Sequence, residues 1–241
     1  RYLRHTASAK ESKEEGMIMD WSPILISMRT AGLSIVFTFF MGILAAWMVV
    51  RISHPLMKTI LDGIFTIPLV LPPTVAGFFL LYVFGVKRPV GQFFLEYFSV
   101  KIAFSWGATV LAAVVMSFPL MYRSARGAFE QVDDTLVQAA RTLGMGEWTI
   151  FRKVLLANAV PGVVSGGVLA FARGLGEFGA TAMIAGNIAG KTRTLPMAVY
   201  SEAAAGNMEA AYSYVAIIVV IAFLSVFLMN GVMWYSQKKS R

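Results

Sequence analysis

Long apolar runs separated by short polar connectors set the pattern of the chain. Five of them, at 24–50, 59–84, 102–122, 160–188 and 212–235, reach the roughly 20 residues a helix needs to cross hydrocarbon. A bilayer core offers the backbone no water, so runs of this length become helices, whose donors and acceptors are satisfied internally. The pattern predicts an all-α integral membrane protein, a bundle of about five transmembrane helices. Arg29 interrupts the first run near its start. The second contains Asp62 with Pro68, Pro72 and Pro73, and the fourth can break near its glycines. Ahead of the membrane domain, 17–241, lies a polar, mixed-charge leader, 1–16, which reads as a disordered tail.

The connector 123–159 has a pattern of its own. Asp133 to Leu143 reads as a short helix with Asp133 or Asp134 as N-cap and Ala139, Ala140 and Leu143 on one side. Gly144 and Gly146 can take the positive φ that ends a helix. A second amphipathic helix follows from Glu147 to about Ala157, with Trp148, Phe151, Val154 and Leu155 as its apolar side. Pro161 and Gly162 mark the entry into the fourth span.

Composition agrees with this picture. Of 241 residues, 57% are hydrophobic and 14% charged, and the mean hydropathy is +0.68; soluble proteins carry about 25% charged residues. The net charge of +8 is not arranged as a basic stripe with interleaved aromatics, so no nucleic-acid partner is expected. It fits positive residues collected on the cytoplasmic side. Alternate loops and the C-terminus hold ten Lys and Arg: Arg51, Lys58, Arg123, Arg126, Arg141, Arg152, Lys153, Lys238, Lys239 and Arg241. The opposite loops hold five: Lys87, Arg88, Lys101, Lys191 and Arg193. The majority places 123–159 in the cytoplasm, although Arg1, Arg4, Lys10 and Lys13 of the leader lie on the other side.

Gln138-Ala139-Ala140, Leu143-Gly144, Phe151, Val154 and Pro161-Gly162 together resemble the EAA loop of permeases from binding-protein-dependent ABC importers. FARGLGEFGATAMIAGNIAGKTRTLPMAVY, IPLVLPPTVAGFFLL and AFSWGATVLAAVVMSFPLMYR are similar to the molybdate branch of that family, with sulfate and tungstate relatives close by. Two departures stand out: Gln138 where the family usually has Glu, and Ala157 where Pro is common.

The resemblance implies the type I importer permease fold in a prokaryotic plasma membrane. It makes Gln138, Ala139, Ala140, Leu143 and Gly144 the segment that couples to a cytoplasmic ATPase. It further implies two ATPase subunits, which hold ATP and Mg while this chain binds no cofactor and no metal, and an extracytoplasmic oxyanion-binding protein. A second permease copy completes the path, because five spans are few to enclose a pore and oligomers favour two-fold symmetry.

Arg173, Glu177 and Gly179 are the candidates for the path. Arg173 and Glu177 lie four apart and share a helix face, and ionisable groups at membrane depth face a bundle interior or a wet cavity. They read as a structural ion pair rather more than as an anion path, since conduction needs weak holding. Lys87, Arg88, Lys191 and Arg193 can contact the delivery protein or steer the anion.

Other motifs fall away. Gly190-Lys191-Thr192 ends like a P-loop, but the required earlier glycine is Ala185 and no strand precedes it. Gly174-x-Gly176-x-x-Gly179 matches a dinucleotide fingerprint by letters only, and small residues between packed helices explain it. His5 and His54 stand apart and there is no cysteine, so a thiolate or His-rich metal site is not expected.

Two further classes remain. An ion-coupled transporter or channel requires coupling carboxylates at mid-membrane and often inverted repeats. An intramembrane enzyme requires a nucleophile with its base inside the spans.

Overall fold

A computed structural model describes residues 20–239; the leader 1–16 lies outside the described residues. Those residues form helices joined by short turns, in the order α1 (Ser22–Val50), α2 (Pro55–Val70), α3 (Pro73–Phe84), α4 (Pro89–Phe98), α5 (Trp106–Glu130), α6 (Asp134–Thr142), α7 (Glu147–Leu175), α8 (Gly179–Ala185), α9 (Leu195–Ala204) and α10 (Met208–Lys239). Among the described residues four helices, α1, α5, α7 and α10, are long and apolar enough to cross a membrane, and the bent pair α2–α3 can supply a fifth span.

α1 begins where the Asp20 carboxylate accepts Ser22 N and Ser22 Oγ, both at 2.8 Å. One face carries small and hydroxyl residues three or four apart: Ser27, Thr30, Ser34, Thr38, Gly42 and Ala46, all buried. Helices in lipid gain no hydrophobic free energy by meeting each other, so close backbone approach and interhelical hydrogen bonds hold them together. That face meets α5, where Thr30 Oγ1 lies 2.9 Å from Thr109 Oγ1 and Thr38 Oγ1 lies 3.0 Å from Ser117 Oγ. Trp106 Nε1 donates to Thr30 Oγ1 at 3.0 Å. α7 packs on the same two helices: a Cβ on Gly166 would sit 2.5 Å from Ser124 Cβ, and one on Gly162 2.6 Å from Ala128 Cβ. α9 and α10 close the other end, with Tyr214 OH donating to Asp20 O at 2.8 Å and Leu195 N to Ser27 Oγ at 2.7 Å.

Several expected boundaries change. The second run, 59–84, is two helices bent by 110°. Leu71 is extended at φ −67°, ψ 140°, because a residue before proline is pushed out of the helical region. The third helix runs beyond the expected 102–122, continuing to Glu130. The fourth run, 160–188, is not one helix. α7 starts at Glu147 and stops at Leu175, and α8 follows a break at Gly176–Phe178. The second amphipathic helix therefore does not end before Pro161; a π-helical stretch, Phe151–Leu155, carries it directly into the span. Pro161, inside α7, removes one backbone donor without ending it. The expected outer loops also contain α4 and α9.

Candidate functional site

The elbow between α5 and α7 is built from its capping chemistry. Asp133 Oδ1 accepts Thr135 N at 2.9 Å and is the N-cap of α6. The same backbone donor holds the Asp133 carboxyl below its ordinary value. At the other end Gly144 takes φ +74°. Gly144 N donates to Arg141 O at 2.9 Å and Met145 N to Ala140 O at 3.1 Å, the paired reverse bonds of a Schellman cap. Gly146 stays at φ −66° and instead starts α7, so of the two expected turn glycines only Gly144 uses left-handed backbone.

Around this turn Arg141 grips Glu147, with Nε to Oε1 at 2.9 Å and Nη2 to Oε2 at 3.4 Å. The carboxylate raises the Arg141 pKa above its ordinary value. Arg51, just past α1, reaches Glu147 Oε2 at 3.4 Å and covers the Trp47 ring at 4.8 Å. Exposed pairs of this kind contribute only about 0–1 kcal/mol each. The firmer attachment is aromatic: Trp47 lies 4.7 Å from Phe151 and 5.7 Å from Trp148 between ring centroids, and Phe129 meets Phe151 at 6.0 Å. Sequence reading placed Arg51 only among the cytoplasmic cations and passed over Trp47; both lie about a hundred positions from their elbow partners, with no local signal to join them.

Of the expected coupling residues, Gln138, Ala139, Leu143 and Gly144 are exposed and Ala140 is buried. Ala140 therefore packs inside the chain and offers no docking surface. Leu136, Leu143 and Trp148 are large, apolar and exposed, with Leu143 at 80%. Beside the elbow, an open cavity of about 660 Å³ is lined by Arg123, Ser124, Gln131 and Asn158 among others.

At the break in the fourth run, Glu177 is buried and Oε1 accepts Ala180 N at 2.7 Å, capping α8. Arg173 Nη1 lies 2.7 Å from Oε2, but no donor is aligned on that oxygen, so charge rather than a directed hydrogen bond holds it. Gly179 lies under Pro73, where a Cβ would come within 2.9 Å of Pro73 Cβ. The two broken runs thus meet at their breaks. Glu177→Gln keeps an acceptor for Ala180 N but removes the charge that holds Arg173, and is expected to lower the melting temperature in detergent, less than Glu177→Ala does. Glu177→Ala strands the Ala180 donor and should cost about 1–3 kcal/mol, read as a lower melting temperature.

The outer-loop cations are not equivalent. Arg88 stacks on Tyr82 at 4.0 Å, and Arg193 donates from Nε to Asn187 Oδ1 at 2.9 Å and lies 4.0 Å from Glu202 Oε1. Lys87 and Lys191 are exposed. In Gly190-Lys191-Thr192 the threonine is fully buried, accepting Ile188 N at 3.0 Å and donating to Gly186 O at 3.1 Å. It closes a loop.

Comparison with known proteins agrees with this geometry. Residues 38–241 match the family of binding-protein-dependent transport system inner membrane components. The molybdenum transport system permease protein ModB of Escherichia coli (strain K12) is 47% identical over 182 residues, covering 76% of this chain and 79% of that protein. ModB of Haemophilus influenzae is 36% identical over 92% of this chain and 96% of its own length. The sulfate transport system permease protein CysT of Salmonella typhimurium is 33% identical over 85% of this chain and 73% of its own. Among solved structures, an inward-facing MetNI methionine ABC transporter superposes with TM-score 0.71 at 18% identity, covering 92% of this chain and 98% of that one. At that identity it speaks for the fold.

Proposed function

From a chain that belongs to the binding-protein-dependent transport system inner membrane components, we infer the membrane permease subunit of an ATP-driven importer for an oxyanion, with molybdate as its substrate. The molybdenum transport system permease proteins at 47% and 36% identity support the substrate. The observation that carries the coupling role is the elbow: a capped helix with exposed Leu136, Leu143 and Trp148, fastened to the bundle through Trp47 and Phe151. Exposed apolar side chains on a rigid, charged frame suit a groove on another protein. That partner is a cytoplasmic ATPase, present twice, which holds ATP and Mg; this chain binds no cofactor.

Two copies of the permease form the path, and an extracytoplasmic oxyanion-binding protein delivers the anion. Lys87 and Lys191 are the outer cations best placed to meet it. Gln138, Ala139, Leu143 and Gly144 face the ATPase, with Ala140 supporting them from inside. The Glu177 cap makes the Arg173–Glu177 pair a structural element bordering the path, with Gly179 allowing the broken runs to touch. Nucleotide drives transport by binding one state of the assembly more tightly than the other.

Sulfate or tungstate is the second reading, favoured by the sulfate permease at 33% identity. The experiment is ATP turnover by the reconstituted complex with its binding protein, titrated with molybdate, tungstate and sulfate. Stimulation by molybdate at the lowest concentration is expected, and the isolated chain should show no turnover. Stimulation by a cation or sugar alone would reject the oxyanion reading.

A further inference from the structure

α2 is the half of the bent pair nearest the elbow, and none of its residues is buried. Leu61 and Phe65 give it partly buried apolar contact with the bundle, and one of its faces, Lys58, Asp62 and Phe65, is engaged throughout by α5. Lys58 Nζ lies 3.0 Å from Glu130 Oε1, the same oxygen that Arg126 Nε reaches at 3.0 Å. Arg126 Nη1 pairs with Asp62 Oδ1, which also accepts Tyr122 OH at 3.0 Å. Tyr122 is fully buried, and its ring takes the edge of Phe65 at 5.2 Å.

On α5 the partners Tyr122, Arg126 and Glu130 repeat every four residues and so share one face. The result is a zipper of alternating charge between two helices. Its side chains are partly sheltered, with Arg126 20% exposed and Asp62 33%, and such a network holds its geometry better than isolated surface pairs.

The zipper lies between two parts that transport must connect. Glu130 ends α5, three positions before the Asp133 cap of α6. In the other direction α2 leads through the 110° bend to α3, where a Cβ on Gly77 would lie 2.6 Å from Ala180 Cα in α8. A push on the elbow moves the end of α5. Whether α2 and the broken runs follow depends on what ties α2 to α5.

We propose that Asp62 and Arg126 are positioning residues for coupled transport, forming a strut that makes α2 follow the end of α5 and so carries elbow displacement to the two broken runs. This rests on the importer reading above. The strut stays closed through the cycle, which separates it from a latch that must open.

The test uses the complete complex with its ATPase in liposomes, and reads molybdate taken up per ATP hydrolysed. Asp62→Asn and Arg126→Gln should leave basal ATP turnover within about twofold and lower uptake per ATP by about tenfold, within the usual range of coupling between sites. This chain has no cysteine, so the double variant Asp62→Cys, Arg126→Cys carries two thiols per permease copy and no others in that chain. Joining them with a short bifunctional thiol reagent should restore uptake per ATP; a monofunctional reagent should not. Restoration also excludes misfolding as the cause of the loss. Normal uptake per ATP in the single variants would overturn the proposal, as would a linked form that stays as low as the monofunctional one. If the unaltered complex shows no ATP-dependent uptake, the importer reading falls and the strut with it.

Discussion

Gly144→Val in the assembled complex is expected to lower anion-stimulated ATP turnover by roughly 5–30-fold and to weaken retention of the ATPase on purification. Gly144 sits at φ +74° with nothing within 4 Å of where a Cβ would be. The effect is therefore backbone strain rather than collision. An L residue in the left-handed region costs about 1–2 kcal/mol, and a β-branched one is more poorly accommodated. In population terms about 1–2 kcal/mol is a factor of roughly 5–30. The chain would relieve the strain by giving up the bonds from Gly144 N and Met145 N, which would shift the exposed Leu143 from its place beside the turn. Gly144→Asn separates the causes, because asparagine tolerates this backbone region. It should retain most of the coupling, and loss as large as that of valine would show that the glycine is needed for close contact instead.

Gly77→Leu should be strongly damaging where the two broken runs cross. Its Cβ would fall 2.6 Å from Ala180 Cα and 2.7 Å from Ala180 O, both backbone atoms that no rotamer change can move. Overpacking a tight core typically costs about 1–3 kcal/mol, and a clash with backbone lies at the upper end. The expected result is a lower melting temperature in detergent and reduced yield of the assembled complex. Gly63→Leu, where nothing lies within 4 Å, is the matched control and should behave as the unaltered protein. Equal stability of the two variants would show that the broken runs do not cross as closely as described.

What could be read from the sequence follows from the range of the interactions concerned. Hydropathy over twenty residues located α1 and α10 closely, because a lipid-facing helix declares itself by composition. The elbow was legible because caps are local: Asp133 bonds Thr135 N, two residues away, and Gly144 terminates the helix it follows. Pro72 and Pro73 were visible, but composition alone could not say that the pair would bend the run by 110°. Glycines in the fourth run hinted at a break, whereas the cap from Glu177 depends on the break having formed. The hydroxyl face of α1, with Ser27, Thr30, Ser34 and Thr38, is a regular pattern that hydropathy averaging conceals. The elbow anchor at Trp47 and the strut at Asp62 join residues far apart in sequence, and only the packed helices bring them together.

The central claim is that this chain is a passive gate driven by an ATPase bound at its elbow. Its most direct test is molybdate uptake into proteoliposomes containing the permease, with and without the ATPase subunits, at fixed external loaded binding protein and internal ATP. Uptake should require the ATPase and stop when ATP is replaced by a non-hydrolysable analogue. Equal flux from liposomes holding the permease alone would contradict it.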